Sequence, residues 1–288
     1  MVDFRLLTPA DTASLEAFLV LNRDTSMFLR SNARRAGLTY AGRPLQAVYA
    51  GAFIEGRVVG VVAHCWNGMM LVQAPEHASG LARACIEWSG RPVTGLAGLP
   101  AQVRAARSAL ALQDAATNVD SDEWLYGLDI ANLIVPDALA TGAVTCRPPR
   151  SEERDQLCAW RLAYDVEVMG ASDTPETRER STAFLDAQLA DGNAWVAVVD
   201  RQLVSLSAFN ASLPDIVQLG GIYTPPQHRS RGYARAAVAA SLLAARARGV
   251  SRAVLFTPNP HAARAYESVG FRLEGDYALV FFRQVSAS

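Results

Sequence analysis

The sequence predicts an α/β (α+β) fold that is built twice in succession, and three observations support this prediction. The chain has 288 residues, half of them apolar, which is enough for two packed cores. Short apolar strand patterns alternate with helical patterns. The order of these patterns in the first half recurs in the second. We therefore expect one domain over residues 1–140 and another over residues 141–288.

Each half begins with a short strand and a polar turn, at Phe4 in the first half and at Val144 in the second. Helical segments follow, and each half then has a pair of strands joined by a turn signal. These pairs are 48–54 with 58–65, joined at Glu55-Gly56-Arg57, and 195–199 with 203–208, joined at Asp200-Arg201-Gln202. A third strand in each half ends in proline.

The loop after the third strand of the second half is suited to a pyrophosphate. A strand pattern from Val217 to Tyr223 runs into two prolines, and an Ala-rich helix follows to about Gly249. This order directs backbone N–H groups and the positive end of the helix at one point. Arg229 and Arg231 add charge there. Neither a dinucleotide fingerprint nor a Walker motif occurs in the loop.

Two segments of the second half carry a distinctive pattern of residues. The first is the loop pattern Arg229-x-x-Gly232-x-Ala234. The second follows a short buried strand pattern, lies on a helix that ends near Gly270, and comprises Asn259, Tyr266, Glu267, Gly270 and Phe271. In this order and spacing, the two segments resemble the signature segments of the GNAT superfamily of N-acyltransferases.

The resemblance implies a mixed, mostly antiparallel central sheet flanked by helices in each half. It also implies an acyl-CoA co-substrate, with acetyl-CoA expected, and no metal. The pantetheine arm is expected along the strand and the pyrophosphate on the loop amides. The implied cofactor-binding residues are Gly221, Ile222, Tyr223, Thr224, Arg229, Ser230, Arg231, Gly232, Tyr233, Ala234 and Asn259. Paired glycines at 220 and 221 permit a bulge, and in this family the fourth strand splays from the fifth.

The resemblance gives Tyr266 the role of general acid for the leaving thiolate, and the alternative is that its ring only packs under the sheet. Asn259 either contacts the pantetheine region or caps the following helix, because Asn is a favoured N-cap and Pro a favoured first helical residue. Arg231 is either solvated or paired with the adenosine 3'-phosphate. A side chain at Gly232 would obstruct the turn or the phosphate.

The general base is left open by the sequence. Many family members have a glutamate on the fourth strand, whereas this chain has Asp215-Ile216-Val217-Gln218. A water held by Gln218 or by backbone carbonyls is one candidate, and Glu167 or Asp173 is another. Both acids lie in the predicted connection 164–173, where the family usually builds its acceptor site. Their charge would suit a cationic amine, but solvated loop charges explain it equally well.

The first half is predicted to be a degenerate copy that does not bind CoA. When Pro75 is aligned with Pro226, Ala78 takes the place of Arg229, and the counterpart of Arg231 is deleted. At an offset of 160, Leu99 replaces Asn259 and Ala106 replaces Tyr266. Chance similarity between two Ala-rich segments is the alternative.

Composition excludes several other classes of protein. The sequence contains no lysine, which removes Schiff-base chemistry and a Walker lysine. The four cysteines have no C-x-x-C spacing, so reduced thiols are expected. The net charge of -1 gives no reason to expect nucleic acid. No apolar run is long enough for a membrane span, and no signal region is recognised.

The sequence therefore predicts a cytoplasmic N-acetyltransferase, monomeric or homodimeric, that acetylates a primary amine of a small molecule or peptide by direct attack on the thioester. The alternative is a non-enzymatic module that binds acyl-CoA. The acceptor and the acyl chain length are not specified by the sequence.

Overall fold

Two units make up residues 2–283, the part of the chain that this computed structural model describes. Unit 1 comprises residues 2–123 with 276–283, and unit 2 is Trp124–Gly275. These units have different boundaries from the predicted halves 1–140 and 141–288. The assignment of those halves to separate domains stays a prediction.

The first half of the sequence forms β1 Asp3–Leu6, α1 Thr12–Leu21, α2 Met27–Ala36, β2 Ala47–Ile54, β3 Arg57–Cys65, β4 Met69–Gln73, α3 Ala78–Ser89, β5 Gly95–Gly98, α4 Pro100–Ala109 and β6 Thr117–Asp129. The second forms α5 Asp137–Ala140, β7 Thr145–Arg147, α6 Arg154–Glu167, α7 Pro175–Ala190, β8 Ala194–Val199, β9 Gln202–Ser212, β10 Ile216–Tyr223, α8 Tyr233–Ala247, β11 Arg252–Thr257, α9 Pro260–Glu267 and β12 Arg272–Phe282. The predicted strands and the helices after the third strands lie within a few residues of these bounds.

The sheets of the two units share one strand order. It is β1-β2-β3-β4-β5-β12 in unit 1 and β7-β8-β9-β10-β11-β6 in unit 2. In each unit the fourth and fifth strands are parallel, and the other neighbours are antiparallel. The predicted mixed, mostly antiparallel sheet is therefore confirmed. Each sheet takes its last strand from the other half of the sequence, which explains why the units cross the predicted boundary.

Helices cover both faces of the sheet of unit 2. On one face, Val217 and Leu219 of β10 pack with Val238 and Leu242 of α8, whose buried residues recur at helical spacing. On the other face, α6 and α7 pack through an apolar cluster that includes Tyr223. Successive side chains of a strand point to opposite faces, so Gln218 faces α6.

None of the helices among residues 2–283 combines the length and apolar character needed to cross a membrane. All four cysteines lie in this range and are unpaired. Cys65 and Cys85 are buried, whereas Cys146 and Cys158 are half-buried.

Candidate functional site

A wedge-shaped opening separates β10 from β11 in unit 2. Their parallel pairing includes Val217↔Ala253 and Gln218↔Val254 and then stops. Beyond this point, β11 stays paired with β6 up to Thr257, while β10 stays paired with β9. The opening, called the wedge below, is bounded by residues 219–223 and 255–257.

Two glycines produce a bulge on the β10 side of the wedge, as the sequence suggests. Gly220 lies opposite Ala208 and Tyr223 lies opposite Leu206, so β10 has one residue more than β9 between these pairs. A Cβ at Gly220 would collide with the side chain of Asn210. Gly221 has a φ of +66°, which residues with side chains rarely adopt. A side chain at Gly220 would therefore require Asn210 to move, and a side chain at Gly221 would strain the backbone of the bulge.

The loop after β10 directs several amides at one place. Ser230 and Gly232 have φ angles of 62° and 80°, and Gly232 is the N-cap of α8. The amide of Ala236 donates to the Gly232 oxygen at 3.2 Å. The first helical residues, Tyr233 and Ala234, precede this bond, so their amides are available to an anion.

Arg229 lies between this loop and the end of α6. Its Nε donates to the Thr224 oxygen at 2.9 Å, and its Nη2 donates to Glu167 Oε2 at 2.7 Å. The hydrogen bond with Glu167 raises the pKa of Arg229 above its ordinary value, and partial burial opposes the shift. Both side chains of the pair are nearly half exposed. Arg231 is exposed and makes no ion pair with another residue in the described range.

Tyr266 lies on α9 and packs against the apolar cluster that contains Leu219 and Leu255, one from each side of the wedge. Its ring centroid is 6.1 Å from that of Phe271. Burial, with a smaller effect from Tyr164, raises the pKa of Tyr266 above its ordinary value of 10.0. The hydroxyl group therefore keeps its proton at neutral pH, as a proton donor requires.

Asn259 is the N-cap of α9. Its Oδ1 accepts from the amides of His261 at 2.9 Å and Ala262 at 3.4 Å. The capping alternative for this residue is thus observed, and its oxygen is engaged by the helix. Its side-chain amide NH₂ group stays available to donate to a ligand.

Gln218 occupies the last paired position before the wedge. The residue is 3% exposed, and its Oε1 is buried without a hydrogen-bond partner among residues 2–283. A buried amide oxygen without a partner is unfavourable. It therefore marks a place where a ligand or water would gain a hydrogen bond.

The predicted acceptor connection is shorter than the sequence suggests. Residues Tyr164 to Glu167 form the last turn of α6, because the amide of Val168 still donates to the Tyr164 oxygen at 2.8 Å. Asp173 lies in the remaining connection and pairs with Arg178 at 2.6 Å. The structure thus places Glu167 at the Arg229 loop, whereas Asp173 pairs with Arg178 of α7.

A polar network on α6 was missed by the sequence analysis. Arg161 donates to Asp165 through Nη2 at 2.7 Å and through Nε at 3.2 Å. Ser181 of α7 donates to the same carboxylate at 2.5 Å. The i,i+4 spacing of Arg161 and Asp165 is visible in the sequence. The proximity of Arg161 to the bulge is not visible in the sequence, because it depends on how α6 packs on β10.

In the described part of the chain, no three His, Cys, Asp or Glu side chains are placed to hold a metal ion.

Comparison with known proteins connects this geometry to a family. Residues 156–271 match the model of the GNAT acetyltransferase family, and this range contains β10, β11, the loop and α9. No curated protein matches the chain.

Solved structures share the fold over nearly the whole chain. A GNAT protein from Sphaerobacter thermophilus has a TM-score of 0.58 at 14% identity, with 99% of this chain and 97% of that chain covered. A tandem GNAT protein from the clavulanic acid biosynthesis pathway has a TM-score of 0.55 at 14% identity, with 100% of both chains covered.

A third match is the glucosamine N-acetyltransferase region of a fungal multi-domain β-N-acetylglucosaminidase, with a TM-score of 0.58 and 14% identity. It covers 98% of this chain, which spans only 38% of that protein. At these identities the likeness shows the fold alone. The GNAT-like architecture predicted from the sequence is therefore confirmed.

Proposed function

We propose, from the premise that residues 156–271 are a domain of the GNAT acetyltransferase family, that this protein transfers an acetyl group from acetyl-CoA to a primary amine. The observation that carries the proposal is the wedge beside an anion-binding loop. The wedge leaves the inner edge of β10 unpaired after Gln218, and the loop amides lie directly after β10. A pantetheine arm and a pyrophosphate need these two features in this order.

In this proposal, residues Gly221 to Thr224 contact the pantetheine arm, and residues Arg229 to Ala234 hold the pyrophosphate. Arg229 would exchange its contact with Glu167 for a phosphate oxygen. Asn259 supports the site mainly by capping the start of α9, which carries Tyr266, and its side-chain amide NH₂ group can donate to the cofactor.

The amine attacks the thioester carbonyl directly in the proposed reaction. A C–N bond forms, the C–S bond breaks, and the thiolate takes a proton from Tyr266. The amine loses one proton to water, for which Gln218 Oε1 provides a hydrogen-bond acceptor. An amide oxygen is too weak a base to take the proton itself, so Gln218 orients the amine or the water.

Thermal unfolding tests the proposed cofactor site. Acetyl-CoA or CoA, but not ATP, should stabilise the protein, by about 2.7 kcal/mol at one hundred times Kd. Gly232→Glu should abolish this stabilisation, because the side chain enters the loop at a positive φ. Gly249→Glu is the matched control, since Gly249 also has a positive φ of +91° and nothing lies within 4 Å of its Cβ position.

The variant at Gly249 should lose stability but keep its response to acetyl-CoA. Absence of any response in the wild type at millimolar acetyl-CoA would contradict the proposal.

A second candidate is an acyl-CoA-binding module without turnover. It is favoured by the lack of a carboxylate in the sequence of β10 and by the pairing of Glu167 and Asp173 with arginines. Such a module would be stabilised by acetyl-CoA yet release no thiol with a broad panel of amines. Thiol release with any amine decides for the enzyme.

A further inference from the structure

Arg161 is held rigidly beside the bulge of β10. Asp165 binds its Nε and Nη2, and Phe184 and Tyr164 lie 4.3 and 5.0 Å from its guanidinium carbon. Only 12% of its side chain is exposed. An arginine fixed in this way loses little conformational entropy when it binds a ligand.

One end of this guanidinium group is open. Within residues 2–283, Nη1 of Arg161 has no hydrogen-bond acceptor. This atom lies 3.0 Å from the position that a Cβ on Gly221 would occupy. The absence of a side chain at Gly221 therefore leaves room in front of the Nη1 donors, at the wedge.

Three acidic side chains that could attract a cationic acceptor, Asp165, Glu167 and Asp173, already have partners. Glu167 binds Arg229 and Asp173 binds Arg178, while Asp165 accepts from Arg161 and Ser181. Two groups near the bulge have no hydrogen-bond partner among residues 2–283, namely Nη1 of Arg161 and the buried Oε1 of Gln218. Arg161 Nη1 lies beside Gly221, which is three residues after Gln218 on β10.

We infer that the acceptor amine carries a carboxylate, as an α-amino acid does, and that Arg161 binds this carboxylate at the wedge. The remaining N–H groups of the guanidinium donate to the carboxylate, and Gln218 Oε1 accepts from the amine. This pairing of donors and acceptor satisfies both open groups with one ligand. The inference rests on the proposed function, because it names the acceptor of the same transfer.

The test compares amines that differ only in the carboxylate. Thiol release from acetyl-CoA is measured with the twenty L-amino acids, β-alanine and 4-aminobutyrate, and with the carboxamide of each. At least one acid should exceed its carboxamide by tenfold or more in kcat/KM. Arg161→Lys keeps a positive charge beside Asp165 but loses the planar set of guanidinium N–H donors. It should raise the KM for that acid by about 10- to 100-fold.

The matched control is Arg154→Lys. Arg154 lies on the same helix and binds Asp186 through Nε and Nη2, both at 2.7 Å. This variant should keep the KM of the wild type for the acid. Both variants should keep the KM for acetyl-CoA and its thermal stabilisation, which shows that each is folded.

Two results would overturn the inference while leaving the proposed function in place. One is equal turnover of acids and carboxamides, unchanged in Arg161→Lys. The other is turnover of none of the acids by a protein that acetyl-CoA stabilises. A protein that acetyl-CoA does not stabilise would instead contradict the proposed function itself.

Discussion

In unit 1, β4 and β5 stay paired along the whole of β5, from Met69↔Gly95 to Val72↔Gly98, whereas β10 and β11 in unit 2 separate after Gln218. The amide of Ala74, just beyond β4, donates to the buried Oε1 of Gln102 at 2.6 Å. The position that is open in unit 2 is thus closed in unit 1 by backbone pairing and a side chain.

Particular residues explain this difference between the units. When Pro75 is aligned with Pro226, Met69-Met70 occupy the positions of Gly220-Gly221, so β4 has no glycine pair for a bulge. Gly98 lets β5 approach β4 closely, since a Cβ there would collide with the Val72 oxygen. At the offset of 160, Pro258 replaces Gly98 and Ala262 replaces Gln102.

The loops before α3 and α8 differ in the same sense. The helix α3 already begins at Ala78, so the stretch that forms an open loop in unit 2 is helical in unit 1. Gly80, the counterpart of Gly232, lies inside this helix, and a Cβ there would collide with the ring of Phe4. One strand order therefore supports either a closed core or an open slot, depending on a few glycines and one deletion.

Gly221→Met should have the largest effect, because it gives β10 the residue that its counterpart β4 has. The side chain would require φ +66° and would enter the space beside Arg161. We expect loss of detectable acetyl-CoA binding and of turnover. Thermal unfolding with and without acetyl-CoA measures both stability and binding. Binding at the wild-type affinity by this variant would show that the bulge does not shape the slot.

Tyr266→Phe should keep acetyl-CoA binding and lower kcat by about 10²- to 10⁴-fold, as loss of a general acid does. Ala106, the counterpart in unit 1, has no hydroxyl group to lose. The control is Tyr126→Phe, whose hydroxyl donates to Glu267 at 2.8 Å and which should keep its kcat. Unchanged turnover in Tyr266→Phe would remove the proposed role.

The pH dependence of kcat follows from the raised pKa of Tyr266. The hydroxyl group is protonated below its pKa, which lies above 10. The wild-type kcat should therefore not fall between pH 7 and pH 10 through loss of this proton. A fall in that range that is absent in Tyr266→Phe would contradict the assignment of a raised pKa.

Glu123→Gln should change stability without changing turnover, because Glu123 belongs to unit 1. Burial raises the pKa of Glu123 from 4.5 to about 7. Between these values the folded state keeps a proton that the unfolded state has lost, so wild-type stability falls as pH rises through this window.

The variant Glu123→Gln should lack this fall. It should be more stable than the wild type by about 1 to 3 kcal/mol at pH 8 and similar to it at pH 4. Denaturant unfolding at both pH values measures the difference. Equal stabilities at pH 8 would contradict the raised pKa.

Glu167→Gln should tighten acetyl-CoA binding by about two- to fivefold, since exposed ion pairs contribute about 0.2 to 1 kcal/mol. The change frees Arg229 for the phosphate and removes a negative charge beside it. Asp173→Asn is the control, because its pair with Arg178 involves no residue of the loop, and its Kd should not change. Lost turnover with unchanged Kd in Glu167→Gln would instead assign Glu167 to the acceptor.

Much of the fold was predictable because it depends on local patterns. The apolar periods located the strands, and Asn259-Pro260 located the start of α9. Gly220-Gly221 predicted the bulge, since only glycine adopts such a conformation at low cost. Each of β6 and β12 joins the sheet formed by the other half of the sequence. This was not predictable, because the sequence of either strand is equally compatible with pairing within its own half.

The candidate site was predictable only in its backbone parts. Gly232 and the loop follow from sequence order, whereas the partner of Glu167 depends on where α6 ends. Arg161 was missed because its importance comes from Gly221, sixty positions away in sequence and adjacent in space.

Titration calorimetry with acetyl-CoA tests whether the open slot of unit 2 binds the cofactor while the closed unit 1 does not. We expect one binding site per chain, abolished in Gly232→Glu and retained in Gly249→Glu. Two sites per chain, or binding that survives Gly232→Glu, would contradict it.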